Sequence, residues 1–307
     1  MRILVLGAGV IGSLYAGRLL GAGHEVVLMA RGRRLEDLQA NGLILQDAES
    51  GERTVIPAVA VNRPDPDDHF DLTLVPVRAE QLQDTLPVLT AMTDASDVLF
   101  FGNTANHQAE LLDALGERVL FGFPGAGGTR DGPTIKYVLI SQQKSMLGEA
   151  SGATSSRVQH LQGVLEDAGF HTQISTDITA WLVGHTAFIV PIAFALYRVG
   201  VDASRLAADR ATMRLMVSGT RQAFNALRAA GKAEIPLNLR VLYRLPDRFV
   251  IAYWRRVLAS PRGELWFGAH SRAARDEMQI LAQQLHVAVR ATGRSTPDLD
   301  RLLDLRS

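Results

Sequence analysis

The residues of this chain whose types and spacing best suit chemistry are the glycines of its first turn. An apolar run, Ile3 to Leu6, leads into Gly7-Ala8-Gly9-Val10-Ile11-Gly12, and a helical pattern and a second apolar run, Val26 to Ala30, follow. In such a turn Gly7 bends the chain, Gly9 lets a pyrophosphate approach the backbone, and Gly12 lets the helix pack on the strand. The helix N-terminus would add free N–H groups for the phosphates. We therefore predict a dinucleotide site at Gly7, Ala8, Gly9, Val10, Ile11 and Gly12.

The glycine motif alone is a weak signal, but strand, turn, helix and second strand occur here in the required order. The alternative is a glycine-rich turn in another kind of α/β domain. That alternative does not require this order, so we favour the dinucleotide site.

The residues after the second apolar run indicate which dinucleotide binds. An NAD site usually has Asp or Glu there to accept hydrogen bonds from the ribose hydroxyls. This chain has Ala30-Arg31-Gly32-Arg33-Arg34, and guanidinium groups form bidentate bonds with phosphate. We therefore predict NADP(H), with Arg31 as a phosphate ligand. The alternative is that Arg33 and Arg34 open a solvated helix, but this does not explain the missing acid.

The composition excludes several classes of function. The 307 residues suggest two domains, and 32 basic residues balance 32 acidic ones, so no global field favours nucleic acid or a membrane surface. Without cysteine there is no disulfide, thiolate catalysis or Cys-based zinc site, and the histidines lack metal-binding spacing. We expect no apolar stretch long and clean enough to span a bilayer, and a cytoplasmic location.

The elements that position these residues change character near residue 176. Up to that point strands and helices alternate, which predicts an α/β Rossmann domain, 1–176, with a doubly wound parallel sheet. This part includes a predicted strand over 54–61 and a predicted loop over 124–128. Helical periodicity dominates afterwards and predicts an all-helical substrate or dimerisation domain, 177–307. Its predicted helices cover residues 177–191, 202–231, 237–258, 263–292 and 296–305.

Polar residues that follow strands of the first domain are candidates for a ligand site, because ligands bind beyond the carboxyl ends of such strands. Arg78 follows a predicted strand over 72–77, and Asn103 follows a strand ending at Phe101. An Asn side chain can orient a nicotinamide or a substrate carbonyl. The alternatives are a turn or cap role for Asn103 and a solvated helix start for Arg78.

The helical domain offers two further candidates. Trp181, His185 and Phe188 share one helix face, and His185 has a pKa range suited to proton transfer. The alternative is an ordinary core histidine. Glu277 lies on a largely small or apolar stripe of a later helix, and its alternative is an exposed or capped carboxylate.

Together these residues resemble the ketopantoate reductase (2-dehydropantoate 2-reductase) family along nearly the whole chain. The resemblance is carried by the glycine turn, Arg31-Gly32, Asn41-Gly42-Leu43, Arg130-Asp131-Gly132, the Trp181 helix, and Glu277 followed by Pro297. It implies a Rossmann domain, a helical domain and hydride transfer from NADPH to the ketone of 2-dehydropantoate.

The resemblance also implies roles for individual residues. Gly7 to Gly12 and Arg31 would hold the NADPH phosphates, and Arg78 stands where the family usually has a cofactor-contacting Lys. Asn103 matches the active-site Asn, although Thr104 replaces the glycine that normally follows it. Gly128 falls beside the cofactor, and Glu277 matches the carboxylate that binds substrate and cofactor hydroxyls.

The sequence departs from the family where the catalytic Lys is expected. That residue is Val183, and the substrate-binding Asn positions are Ala187 and Pro191. Because valine cannot donate a proton, the usual mechanism on 2-dehydropantoate is not expected.

Two classes of function follow from this departure. The first is a reductase of a more apolar carbonyl compound, with His185 as proton donor and with Asn103 and Glu277 orienting the substrate. The second is a non-catalytic NADP(H)-binding sensor or interaction protein. A β-hydroxyacid dehydrogenase shares the architecture but would also need the missing Lys. Helical domains of this kind often dimerise, and the sequence leaves a homodimer open.

Overall fold

The apolar runs near the start of the chain form adjacent parallel strands. In the computed structural model, which describes residues 1–92 and 96–304, β1 (Arg2–Leu6) lies between β2 (Glu25–Met29) and β6 (Leu72–Val75). All three strands are buried almost throughout, as expected for parallel strands that are covered on both faces. The contacts divide the chain into two units, Met1–Ile178 and Thr179–Ser307.

The first unit is built on an eight-stranded sheet. Besides β1, β2 and β6 it contains β5 (Val59–Val61), β7 (Asp97–Phe101), β8 (Val119–Phe123), β11 (Ser145–Glu149) and β12 (Thr172–Ile174). The strand order is β12-β11-β8-β7-β6-β1-β2-β5. The helices of this unit are α1 (Val10–Gly21), α2 (Gly32–Asn41), α3 (Leu82–Ala91), α4 (Gln108–Leu115) and α5 (Ser156–Asp167). The predicted α/β class is confirmed, but the sheet is not wholly parallel. Strand β11 runs antiparallel to β8 and β12 runs parallel to β11, so these two strands run opposite to the other six.

A second sheet in this unit has four strands, β3 (Leu43–Asp47), β4 (Arg53–Ile56), β9 (Ala126–Asp131) and β10 (Thr134–Leu139). Their order in the sheet is β4-β3-β10-β9. The predicted single strand over 54–61 is wrong, because Pro57 has no N–H and separates β4 from β5. The two halves therefore join different sheets.

The predicted loop over 124–128 is also wrong in part, because β9 begins at Ala126 and pairs with β10. Gly128 lies opposite Tyr137 in this ladder, and a Cβ at Gly128 would come within 2.2 Å of the Lys136 carbonyl oxygen. Glycine is needed here for close approach of two backbones. The glycine-rich sequence therefore carried a strand without the usual strand residues.

The second unit is helical in the part of the chain that the structure describes. It begins within α6 (Ile178–Arg198), whose residues Ala187 and Val190 are fully buried in the core of the unit. The helices that follow are α7 (Ala203–Ala208), α8 (Arg210–Ala229), α9 (Leu237–Leu242), α10 (Asp247–Leu258), α11 (Pro261–Gly263), α12 (Ala269–Ala273), α13 (Arg275–Arg290) and α14 (Pro297–Leu303). A π-helical turn, Glu264–Gly268, separates α11 from α12.

Several predicted helix bounds are wrong in this unit. Helix α6 continues through Pro191 to Arg198, because burial of apolar residues on both sides offsets the hydrogen bond that proline removes. The predicted helix over 202–231 is broken at Asp209, whose carboxylate accepts hydrogen bonds from the N–H groups of Ala211 and Thr212, both at 3.0 Å. The predicted helix over 237–258 is divided at Pro246, and the predicted helix over 263–292 is divided at Ala274. The predicted end of the last helix at Leu305 lies outside the described residues.

Helix α6 is long and apolar enough to cross a membrane by length and composition, with a mean hydropathy of 1.7. The expectation that no stretch meets that criterion is therefore wrong. However, 67% of the apolar 18-residue stretch of this helix is buried inside the structure, as in the core helix of a folded domain. Its apolar character is accounted for by packing within the protein.

Candidate functional site

The glycine turn between β1 and α1 has a closed side and an open side. A Cβ at Gly12 would lie 1.9 Å from the Gly7 carbonyl oxygen, so this position has no room for a side chain. A Cβ at Gly9 would meet no atom within 4 Å. Gly7 has a φ of +122°, which side-chain-bearing residues rarely adopt. The turn thus combines tight packing at Gly12 with an accessible backbone at Gly9.

The N-terminus of α1 faces this turn without a side-chain cap. Gly9 precedes the helix, and its carbonyl accepts a hydrogen bond from Ser13 N–H at 3.0 Å. The first helical turn, from Val10, holds no acidic residue. Its N–H groups and the positive end of the helix dipole therefore suit an anion.

The three arginines at the start of α2 differ sharply in environment. Arg31 and Arg33 are exposed, whereas Arg34 is 8% exposed. Arg34 donates hydrogen bonds to the Ala8 carbonyl oxygen (3.1 Å), Ser13 Oγ (2.9 Å) and the Pro133 carbonyl oxygen (3.0 Å). A solvated role for Arg34 is therefore wrong. Its guanidinium ties the glycine turn to the β9–β10 hairpin.

A cavity of about 320 Å³ opens beside the glycine turn, at the carboxyl ends of β1, β2 and β6. Its lining residues are Leu6, Gly7, Ala8, Gly9, Met29, Ala30, Arg31, Arg34, Pro76, Val77, Gln81, Asp84, Thr85 and Arg130. Among the predicted cofactor residues of this unit, those outside the lining are Val10, Ile11, Gly12, Arg78, Asn103 and Gly128. With three arginines and one aspartate, the lining is cationic on balance.

Arg130 is the lining residue that sequence reasoning missed as a candidate ligand. It lies on β9, in a segment without strand signals, and the hairpin brings it to the same cavity as Arg31. Burial lowers the pKa of Arg34, and the nearby positive charge of Arg130 lowers it further. This crowding of like charges favours an anionic ligand in the cavity. The Arg-Asp-Gly turn was the one signal in the sequence that pointed to this segment.

The remaining candidates of the first unit lie near other strand ends. Asn103 follows β7 and is 6% exposed. Arg78 is exposed and precedes a short 3₁₀ turn, where its backbone N–H donates to Gln81 Oε1 at 3.3 Å. This geometry agrees with the helix-start interpretation of Arg78. The cofactor roles of Asn103, Arg78 and Gly128 stay predictions.

In the helical unit, His185 lies in a buried aromatic setting. Its ring stacks on Trp181, with centroids 5.4 Å apart and planes 8° apart. Burial and the nearby His270 lower the pKa of His185 to about 3. The imidazole of His185 is therefore neutral at physiological pH.

The lowered pKa of His185 predicts acid sensitivity of the helical unit. The folded unit excludes a proton that the unfolded chain takes up below pH 6.5, so stability is lost as pH falls from about 6.5 towards 3. We expect a loss of about 2 kcal/mol between pH 7.5 and pH 5. All three tryptophans lie in this unit, so urea unfolding followed by tryptophan fluorescence measures it. His185→Phe should lose less stability over this range, and identical pH dependences would contradict the assignment.

Glu277 lies in the first turn of α13 and is 4% exposed, so the alternative of an exposed carboxylate is wrong. Burial of the neighbouring Tyr197 raises the pKa of its hydroxyl to about 12; the positive charge of Arg275 opposes this shift, and the negative charge of Glu277 adds to it. The Tyr197 hydroxyl donates to the Ser271 carbonyl oxygen at 2.9 Å, and the Arg275 guanidinium lies 4.4 Å from its ring centroid. Glu277 thus belongs to a polar group between α6 and α13.

The positions that depart from the family pattern are apolar and packed. Val183 is partly buried against the core of the helical unit, and Ala187 and Pro191 are buried. Gly184 on the same helix lies against the 234–235 segment, since its Cβ would come within 2.0 Å of the Glu234 carbonyl oxygen. Among the described residues, no group of three or more His, Asp or Glu side chains is arranged to hold a metal ion.

Comparison with known proteins agrees with the glycine turn and the fold. Residues 3–152 match the family model of ketopantoate reductase PanE/ApbA. The chain is 29% identical over 181 residues to the 2-dehydropantoate 2-reductase of Archaeoglobus fulgidus, covering 58% of this chain and 57% of that protein. It is 23% identical over 185 residues to the enzyme of Pyrococcus horikoshii, covering 59% and 58%. The match thus spans little more than half the length of these relatives.

Solved structures share the fold over both units. The 2-dehydropantoate 2-reductase from Geobacter metallireducens superposes with a TM-score of 0.81 at 16% identity and covers 100% of both chains. A D-mandelate dehydrogenase, solved as a ternary structure with NADH and anilino(oxo)acetate, gives 0.78 at 18% identity and covers 99% of this chain and 96% of its own.

The fold and the glycine turn define a Rossmann-type protein with a helical second unit. Residues 3–152 match the ketopantoate reductase PanE/ApbA family model, and the resemblance found in the sequence is confirmed.

Proposed function

We propose that this protein is an NADPH-dependent reductase that delivers a hydride to the ketone of a small carbonyl compound. The observation that carries the proposal is the cavity of the first unit, where an open glycine turn meets a cationic lining and β2 ends without an acid. The match of residues 3–152 to the ketopantoate reductase family model supports the reaction class. When bound, NADPH would supply the hydride.

The residues of the first unit fit a dinucleotide phosphate group. The accessible backbone at Gly9 and the uncapped start of α1 would receive the pyrophosphate. Arg31 and Arg130 would hold the 2′-phosphate through charge-assisted hydrogen bonds. Arg34 serves as a positioning residue, because its three hydrogen bonds hold the turn and the hairpin together.

For the substrate we propose a 2-keto acid with an apolar side chain. Val183, Ala187 and Pro191 offer no polar group to a hydrophilic substrate. With a pKa of about 3, His185 holds no proton in the free protein at neutral pH, but a substrate carboxylate beside it would raise that pKa. In this proposal His185 donates the proton to the developing alkoxide, and Asn103 and Glu277 orient the substrate.

The proposal is tested by the loss of NADPH absorbance with 2-dehydropantoate, apolar 2-keto acids and neutral ketones. We expect turnover of an apolar 2-keto acid by the wild type. Val183→Lys restores the residue type that the family resemblance implies and should favour 2-dehydropantoate. Turnover of 2-dehydropantoate by the unmodified chain, with no turnover of the apolar acids, would refute the proposed substrate class.

The role of His185 predicts a specific pH profile. Because kcat/KM reports the free enzyme, it should follow the protonated fraction of His185 and fall about tenfold for each pH unit between pH 5 and pH 8. His185→Ala should lower kcat/KM at pH 5 by up to about a hundredfold and flatten the profile, because about 1% of His185 carries the proton at that pH. A wild-type profile that is already flat over this range would exclude His185 as the proton donor.

A second candidate function is a non-catalytic NADP(H)-binding protein. The neutral, buried His185 and the apolar Val183 favour this candidate, because neither residue offers a proton to a substrate at neutral pH. Tight NADPH binding without turnover of any carbonyl compound would support this candidate.

We further propose a cytoplasmic protein whose partner is a small molecule rather than nucleic acid, in keeping with the neutral net charge of the chain. A homodimer stays a prediction, and light scattering of the purified protein would measure it.

A further inference from the structure

The helical unit carries an exposed apolar stripe whose members recur every four residues. We name it the α9–α10 stripe; it consists of Leu237, Val241, Leu245, Phe249 and Tyr253, which are 64%, 51%, 44%, 50% and 46% exposed. Residues four apart share a helix face, so Leu237 and Val241 lie on one face of α9, and Phe249 and Tyr253 on one face of α10. Leu245 lies in the connection between the two helices.

The exposure of this stripe is not caused by loose packing of α10. A neighbouring face of the helix buries Val250, Trp254 and Leu258 in the core of the unit. Helix α10 is therefore anchored by one apolar face and presents a second one outward. Exposed large apolar side chains concentrated in one segment usually mark a contact surface.

The stripe is bordered by positive charge. The segment from Leu237 to Leu258 contains five arginines and one acidic residue, Asp247, which is engaged in an ion pair with Arg221 of α8. Arg244, Arg248 and Arg256 are exposed. The Arg248 guanidinium lies 4.8 Å from the ring centroid of Phe249, so charge and apolar surface are adjacent.

We propose that the α9–α10 stripe docks onto an anionic membrane surface. The apolar side chains would enter the headgroup region while the arginines meet lipid phosphates, as in interfacial amphipathic helices. Charge complementarity disfavours a second copy of this chain as the occupant, because a two-fold contact would place this arginine-rich face against itself. The neutral net charge of the whole chain predicted no membrane contact, but a total of zero does not exclude a local excess of arginine such as the one between Leu237 and Leu258. The proposal is independent of the reductase activity.

The test is co-sedimentation of the full chain with vesicles of phosphatidylcholine, with and without phosphatidylglycerol. We expect binding to the anionic vesicles that weakens with added salt. Arg244→Glu combined with Arg248→Glu should weaken binding by about thirty-fold or more, since each arginine near such a surface contributes about fivefold. Leu245→Ser combined with Phe249→Ser should also abolish most of the binding.

Matched controls keep the result specific. Arg214→Glu changes an exposed arginine on α8, and Val287→Ser changes a 67% exposed apolar residue on α13; both should bind like the wild type. Tryptophan fluorescence checks that every variant is folded. Equal binding to both kinds of vesicle, no binding to either, or unchanged binding of the stripe variants would overturn the proposal. So would a dimer that these variants convert to monomers without any vesicle binding.

Discussion

Gly9→Ala should weaken NADPH binding by about a hundredfold and leave the fold intact. A Cβ at this position meets no protein atom within 4 Å, and its φ of −73° is available to any residue. The added methyl group would therefore displace the ligand and not the protein. Loss of charge-assisted hydrogen bonds to the pyrophosphate, worth about 3 kcal/mol in total, gives the hundredfold estimate. Calorimetric titration with NADPH measures it.

Gly12→Ala is the matched variant, with the opposite balance of effects. Its Cβ would lie 1.9 Å from the Gly7 carbonyl oxygen, so the turn and α1 must shift. We expect a loss of stability of about 3 kcal/mol. Since the tryptophans all lie in the other unit, circular dichroism is the suitable probe of urea unfolding. If Gly9→Ala bound NADPH as tightly as the wild type, the dinucleotide would not lie at this turn.

Arg31→Ala and Arg130→Ala should each weaken NADPH binding by tenfold or more, without changing the affinity for NADH. Both side chains line the cavity at the glycine turn, and each hydrogen bond to a charged phosphate contributes about 1.5–3 kcal/mol. The double variant should lose the preference for NADPH altogether. Binding of both dinucleotides is measured by calorimetric titration.

Arg33→Ala provides the control for these variants. Arg33 is exposed on the same helix but does not line the cavity. Its replacement should leave both affinities unchanged. An equal loss of NADH and NADPH affinity in the Arg31 and Arg130 variants would show that these arginines do not read the 2′-phosphate. If Arg31→Ala alone removed the preference, Arg130 would be excluded as a ligand.

The arginines show where prediction from sequence stopped. The arginines from Arg31 to Arg34, and the absence of an acid at the end of β2, are visible in the sequence and predicted a phosphate-binding site. The sequence could not show which of the three arginines is buried, because the setting of Arg34 depends on its hydrogen bonds to Ala8, Ser13 and Pro133. The sequence also could not place Arg130 beside this cavity, because no residue pattern indicates the β9 strand on which Arg130 lies.

The helical unit gives a second example. The four-residue spacing of Trp181 and His185 correctly predicted a shared helix face, and the two rings stack. The sequence could not predict the protonation state of His185, because its pKa depends on burial in the folded unit and on His270, which lies on α12. The sequence predicted an imidazole whose pKa suits proton transfer near neutral pH, whereas in the structure His185 is buried, has a lowered pKa and is neutral.

The sequence by itself determined the features whose causes are local. Glycine spacing, strand and helix alternation and the change to helical periodicity depend on neighbouring residues, and they were enough for the fold class and the nucleotide turn. Tertiary structure alone decided which arginines face the cavity and which apolar residues of α9 and α10 stay exposed. These properties are sums of burial and charge over residues far apart in the chain, so no local pattern encodes them.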